Sequence, residues 1–301
     1  MARLTRRRFL TLTALAALPW PARAGQITQW HGIALGAEAA LYLDHPDAPA
    51  IITRATAEIA RLEDIFSLYR PDSALSRLNA AGRLDAPPFE LLECLALCGQ
   101  VHRATGGRFD PTVQPLWQLY AARCSAGSAP TAAEIASILP QTGWPRVRYD
   151  TEAVALEPGM AVTLNGVAQG FIADRLAVLL TEQGLTDILI NTGELRALGR
   201  MPGGSGWPVT LQSGGHLHLA ARALATSAPL GTVFDDEGTL GHILDPRTGL
   251  TAPPRWHSVS ISAASAGLAD ALSTAACLMP DRATVNAALS HFPASRLEAL
   301  V

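Results

Sequence analysis

Apolar residues at Ile51, Ile52, Ala55, Ile59, Leu62 and Ile65 recur at intervals of three and four, which predicts an amphipathic helix ending near Phe66. A second helix is expected over Phe89 to Ala104, with Leu91, Cys94, Leu95, Cys98 and Val101 on its apolar side and Gly106-Gly107 as its exit. Gln26 to Leu43 reads as two short strands around Gly32 to Gly36, with Trp30, Ile33 and Leu35 facing inward. Thr131 to Glu134 spells a capping box, and the Ala/Ser/Gly-rich Ala121 to Pro130 before it reads as a flexible excursion. Val147 to Tyr149, Ala153 to Leu156 and Met160 to Leu164 are expected as strands, and LNGVAQGFIAD passes into a helix beginning near Gln169. From Asp187 the pattern turns β-rich, interrupted at Asn191 to Glu194 and by a tight turn at Asp245 to Gly249. Ser258 to Ala264 alternates as a strand, Ser265 is placed to cap a helix, and Leu268, Leu272, Ala275, Ala276 and Met279 recur at helical spacing after it.

That last helix brings chemistry into the pattern, because Asp270 and Thr274 share one of its faces, with Ser273 beside them. A carboxylate in so apolar a segment must be exposed, hydrogen-bonded or facing a cation. Carboxylate and hydroxyls one turn apart read either as a polar stripe at a helix start or as a hard oxygen cluster suited to Mg2+. Gly166 and Gly170 permit either close approach to a ligand or close helix packing, and the helix start near Gln169 offers N–H groups to phosphate. Phe109 and Asp110 sit in a segment held non-helical by glycines and prolines, and Tyr69, Arg70, Ser76, Arg77 and Asn79 crowd a loop after Phe66. Glu194 reads equally as a site residue or a solvated hairpin charge, and His242 as a group bonding phosphate or backbone.

Composition narrows these readings. At 301 residues and 49% hydrophobic, the chain can bury a substantial core. All 23 basic residues are arginine, which excludes Schiff-base lysines and a phosphate-loop lysine. Five of those arginines lie in residues 1 to 24, leaving 18 against 26 acids, formally −8, so nucleic acid is not an expected partner. RRRFL, a short apolar run and Ala22-Arg23-Ala24 read as a twin-arginine export signal over 1–24, which places the mature chain, 25–301, in a bacterial periplasm. No later apolar run is long enough to cross a membrane. Cys94 and Cys98 fit small buried residues better than a bridge or a metal site.

Six stretches, taken in order, resemble the ApbE family of flavin transferases: FSLYRPDSALSRLN, TGGRFDPTV, LNGVAQGFIAD, INTGEL, GHILDPRTG and SAGLADALSTAA. The resemblance implies an α+β fold of mixed sheets with packed helices, forming one domain over 25–301. It implies transfer of FMN from FAD to a Thr or Ser hydroxyl of a flavoprotein, Mg2+-dependent, with release of AMP. The acceptor is expected to be a periplasmic or membrane-bound respiratory flavoprotein. By position, Asp270, Thr274, Ser273 and the Gly166 carbonyl match the metal site. Ser67 and Tyr69 match one wall of the flavin site, Arg108, Phe109 and Asp110 a second, and Asn191, Gly193 and Glu194 a loop near the dinucleotide. His242 matches the histidine before the Asp-Pro turn, and it shares with Asp270 the candidacy for general base.

Three positions depart from the family pattern. Gln169 replaces a Lys or Glu, Thr192 replaces a glycine, and Thr163 replaces an acid. The changes at Gln169 and Thr163 keep an FAD-binding or delivery protein in view, and the same metal site with water as nucleophile would make an FAD pyrophosphatase.

Overall fold

The computed structural model describes residues 27–301 apart from Gln212, so the expected export signal lies outside the described residues. A seven-stranded sheet runs through the molecule. Its strands are β1 (Thr28–Ala34), β2 (Ala37–Leu43), β6 (Ile188–Asn191), β7 (Leu195–Leu198), β10 (Ala223–Ser227), β11 (Val259–Ala263) and β12 (Arg296–Leu300). They stand side by side in that order, every neighbouring pair antiparallel. A three-stranded sheet joins β3 (Arg83–Asp85), β5 (Ala153–Ala155) and β4 (Arg148–Tyr149), and a hairpin joins β8 (Trp207–Thr210) to β9 (His216–Leu219).

Both faces of the large sheet are covered at its centre, so its middle strands read as continuous apolar runs rather than alternating ones. Ile188, Ile190, Ala223 and Ala225 point into the main core, shared with the helices α1 (Ala48–Phe66), α3 (Phe89–Ala104), α6 (Ala168–Glu182) and α7 (Ala266–Ala276). Leu189, Leu195 and Leu224 point the other way, against Trp207, Val209 and Leu219 of the hairpin. The predicted stripe of α1 is buried as Ile51, Ala55, Ile59, Leu62 and Ile65; each large member contributes roughly 1.5–3 kcal/mol by leaving water. A smaller cluster of Leu116, Tyr120, Ile135 and Leu244 ties α4 (Gln114–Ser125) and α5 (Ala132–Ile138) to the 245–250 turn. The remaining helices are α2 (Ala74–Ala81) and α8 (Arg282–Leu289).

Four expectations are corrected. Ile33 is 67% exposed, because the inward parity of β1 belongs to Trp30 and Ala34. Ser76, Arg77 and Asn79 are helical rather than loop: the Ser73 hydroxyl accepts the Ser76 N–H, and Gly82 at φ +69° ends this single short helix. Ala121 to Ser125 continue α4 instead of forming a flexible excursion. Met160 to Leu164 is not a strand, since its hydrogen bonds go elsewhere. The Asn79 amide takes the place of a neighbouring strand, accepting the Val162 N–H at 2.7 Å and donating to the Val162 carbonyl at 2.8 Å, while Thr163 N–H donates to Pro111 O. The capping box at Thr131, the Ser265 cap and the buried, unbridged Cys94 and Cys98 are as expected.

Candidate functional site

The site begins where α6 and α7 cross at their N-termini. A Cβ at Gly170 would lie 2.3 Å from Ala266 O and 2.6 Å from Gly267 N, so only glycine permits this approach. Asp174, one turn further along α6, accepts the Ala266 and Gly267 N–H groups at 2.8 and 2.9 Å, satisfying two orphan donors of α7. Arg196 of β7 stands 3.4 Å from the Asp174 carboxylate. This junction fixes Asp270 and Gln169 relative to one another.

Beside it opens a cavity of about 170 Å³. Asp270 and Thr274 of α7 and Leu278 just beyond it line it, with Thr163, Asn165 and Gly166 from the approach to α6 and Gln169 from its first turn. Arg108 to Pro111, Val113 and Trp117 form another side, and Glu194, Thr226, Ser227, Gly231 and His242 complete it.

Asp270 is buried, and its one hydrogen bond among the described residues to the side-chain oxygens is a long one from Gly170 N–H, 3.4 Å. Burial lifts its carboxyl to about 7. Glu194 is buried too, accepting the Thr226 N–H at 3.3 Å; burial first, and the neighbouring Asp270 second, raise its carboxyl. No cationic side chain pairs with either acid among the described residues. Two buried acids lacking a cation, a threonine hydroxyl, and a glycine backbone so near that a Cβ at Gly166 would sit 3.1 Å from Thr274 Oγ1, make an all-oxygen donor set. That set fits a hard divalent ion such as Mg2+. It offers no cluster of three His, Cys, Asp or Glu of the kind softer metals take, among the described residues.

His242 points its Nδ1 at the Thr232 carbonyl, 3.0 Å away. A carbonyl only accepts, so Nδ1 carries the proton and Nε2 is left as a lone-pair acceptor. Burial pushes the His242 imidazolium below its ordinary range, which favours this neutral form.

The structure brings together Asp270, Thr274, Gly166, Gln169, Glu194, His242, Arg108, Phe109 and Asp110 on one cavity. Asp110 spends its carboxylate on the Thr112 and Trp144 backbone N–H groups and the Thr112 hydroxyl, so it shapes the wall rather than offering charge. Arg108 lines the cavity with its Nε buried and unpaired among the described residues.

Other expected residues stand behind or outside the cavity lining. Ser273 is fully buried, donating to the Asp270 backbone carbonyl at 3.0 Å. Ser67 is occupied as a turn cap, its hydroxyl accepting the Tyr69 and Arg70 N–H groups, and Tyr69 is 60% exposed. Asn191 accepts the Gly193 N–H, and Gly193 abuts the Gln169 side chain. Thr192 is aimed away from any ligand, since its hydroxyl donates to the Gln169 carbonyl at 2.7 Å. Missed in the sequence were Trp117, Thr226 and Ser227; the last two lie in the stretch LATSA, which carried only a strand signal.

The model of the ApbE family matches residues 32–299. A protein of Klebsiella pneumoniae (strain 342) named FAD:protein FMN transferase is 30% identical over 224 residues, covering 70% of each chain. One of the same name from Chlamydia trachomatis is 28% identical over 245 residues, 76% of this chain and 77% of that protein. The solved ApbE protein of Thermotoga maritima superposes with a TM-score of 0.78 at 26% identity, covering 86% of this chain and 90% of that one. Pseudomonas stutzeri flavinyl transferase ApbE in its apo form gives 0.77 at 24% identity, covering 90% and 89%, a likeness of fold. With its α+β architecture and its cavity at the crossing of two helices, the chain belongs to the ApbE family.

Proposed function

We propose that the chain is an FAD:protein FMN transferase that joins FMN, taken from FAD, to a Ser or Thr hydroxyl of a flavoprotein and releases AMP. The observation that carries this reading is the pair of buried carboxylates, Asp270 and Glu194, facing one cavity beside a threonine hydroxyl and an unprotonated imidazole nitrogen. The relatives' shared name supports it.

In this reading Asp270, Thr274 and the Gly166 carbonyl would hold Mg2+. When bound, the ion neutralises charge on the pyrophosphate oxygens, the chief requirement of phosphoryl transfer. The chain's own groups do the rest. Gly170 N–H of α6 contacts Asp270 and Gly166 before α6 abuts Thr274, which holds this segment against the α7 face that carries both. Arg108 offers its cation to phosphate, and Phe109 and Trp117 supply apolar wall for the rings. His242 Nε2 takes the proton of the acceptor hydroxyl as its oxygen bonds to the FMN phosphorus and the pyrophosphate P–O bond to AMP breaks. Asp270, the other candidate base, is committed to the metal. The acceptor belongs to the periplasm or its membrane face, where the expected twin-arginine signal directs the chain.

Mature protein is incubated with FAD, Mg2+ and an acceptor domain. Flavin fluorescence that stays with the denatured acceptor, matched by AMP, supports transfer. AMP without labelling assigns hydrolysis, and FAD recovered unchanged assigns carriage; either result refutes the proposal.

A further inference from the structure

Behind Thr274 runs a row of hydroxyls that no ligand role accounts for. Thr274 Oγ1 lies 3.3 Å from Ser227 Oγ, Ser227 Oγ lies 2.7 Å from Ser273 Oγ, and Ser273 Oγ lies 3.0 Å from the Asp270 backbone carbonyl. Ser273 is fully buried, and Ser227, at the end of β10, reaches the cavity edge.

Each hydroxyl has one proton, and the carbonyl at the end of the row can only accept. Ser273 must therefore donate to Asp270 O. Its proton being used, Ser273 accepts from Ser227, and Ser227 in turn accepts from Thr274. No other assignment makes all three bonds. The consequence falls on Thr274: its proton is turned inward, toward Ser227, and its two lone pairs are left for the cavity.

We infer that Ser227 is a positioning residue, which, with Ser273 behind it, fixes the Thr274 hydroxyl as an oxygen donor to a divalent cation. This rests on the metal-site reading of Asp270 and Thr274. Ser227 itself need not touch the ion. Its hydroxyl sets the direction of a ligand, as outer-shell partners of metal ligands do, and loss of such a partner typically lowers metal affinity 10–100-fold. The same argument changes the expected role of Ser273 from ligand to relay.

The test uses the mature chain and Mn2+ alone as probe, with free Mn2+ followed by electron paramagnetic resonance and Mg2+ added as competitor. Ser227→Ala is expected to bind Mn2+ about 10-fold or more weakly, while Ser227→Thr, which keeps the hydroxyl, stays close to wild type. Thermal melts in EDTA check that both variants fold. Should Ser227→Ala fail that check, Ser227→Cys replaces it, a thiol being a poor acceptor and donor. Equal Mn2+ affinity in wild type and the hydroxyl-free variant overturns the inference, as does equally weak binding by Ser227→Thr, which would make the site's shape and not its hydroxyl responsible. Wild type that binds no Mn2+ removes the metal reading itself and this inference with it, a result distinct from the other two.

Discussion

Replacing Asp270 by asparagine should make the protein inactive and more stable. A carboxyl held at about 7 against its ordinary 3.8 costs the folded chain about 4 kcal/mol once ionised. The folded state binds the extra proton between those two values, so stability falls as pH rises through the window and the full cost is present above about pH 7. Below about pH 4 both states are protonated and the cost is absent. A side-chain amide at this position cannot ionise and can still accept the Gly170 N–H, so Asp270→Asn escapes the cost. For a chain of this size 1 kcal/mol moves Tm by roughly 2–4 °C, which gives an upper bound near 8–16 °C at pH 8. Melts in EDTA at pH 4.5 and pH 8 measure it, the gap shrinking to about 1 kcal/mol at the lower pH. Added Mg2+ should raise the wild-type Tm with the logarithm of one plus the ratio of free Mg2+ to its Kd and leave the variant unmoved. A variant that melts at or below wild type at pH 8, or with a gap independent of pH, would refute the account of Asp270 as a buried acid awaiting a cation.

Substitutions at three further positions probe the same site. Gly170→Ala drives a methyl into Ala266 O and Gly267 N and should cost about 3 kcal/mol in urea unfolding; an unchanged midpoint would mean the helices do not cross so tightly. Asp174→Ala strands the Ala266 and Gly267 N–H groups and should cost roughly 2–4 kcal/mol, while Asp174→Asn, which still accepts, loses less; equal losses would point to the charge beside Arg196 instead. Gln169→Lys places a cation on the cavity and should tighten FAD binding about five-fold, read by flavin fluorescence; weaker binding would show that this side chain faces Gly193 and not the dinucleotide.

Long periodic helices and their caps were legible in the sequence, because α1 and α7 declare their buried faces through spacing alone. Short apolar runs were not. Met160 to Leu164 has the composition of a strand, but strand status depends on a partner, and the partner is the Asn79 side chain 83 residues away. Ile33 looked inward on hydrophobicity, yet parity along β1 is set by the register of Trp30 and Ala34. The acid at Asp270 was visible because it interrupts an apolar helix. Glu194 was ambiguous, as its burial arises only when β7 packs beside β10. Ser227 carried no signal, since its chemistry depends entirely on hydroxyls brought from 46 and 47 residues away.

The order of strands governs how the molecule can be made. β11 lies between β10 and β12, and β2 waits for β6, encoded about 145 residues later. A nascent chain leaving the ribosome can form α1 and α3 early, but their sheet is missing until the second half has been translated. The helix carrying Asp270 needs β10 and β11 beneath it, so catalytic competence arrives only once α7 has been translated. Premature termination anywhere before α7 should thus yield a sticky, incomplete layer rather than a weaker enzyme.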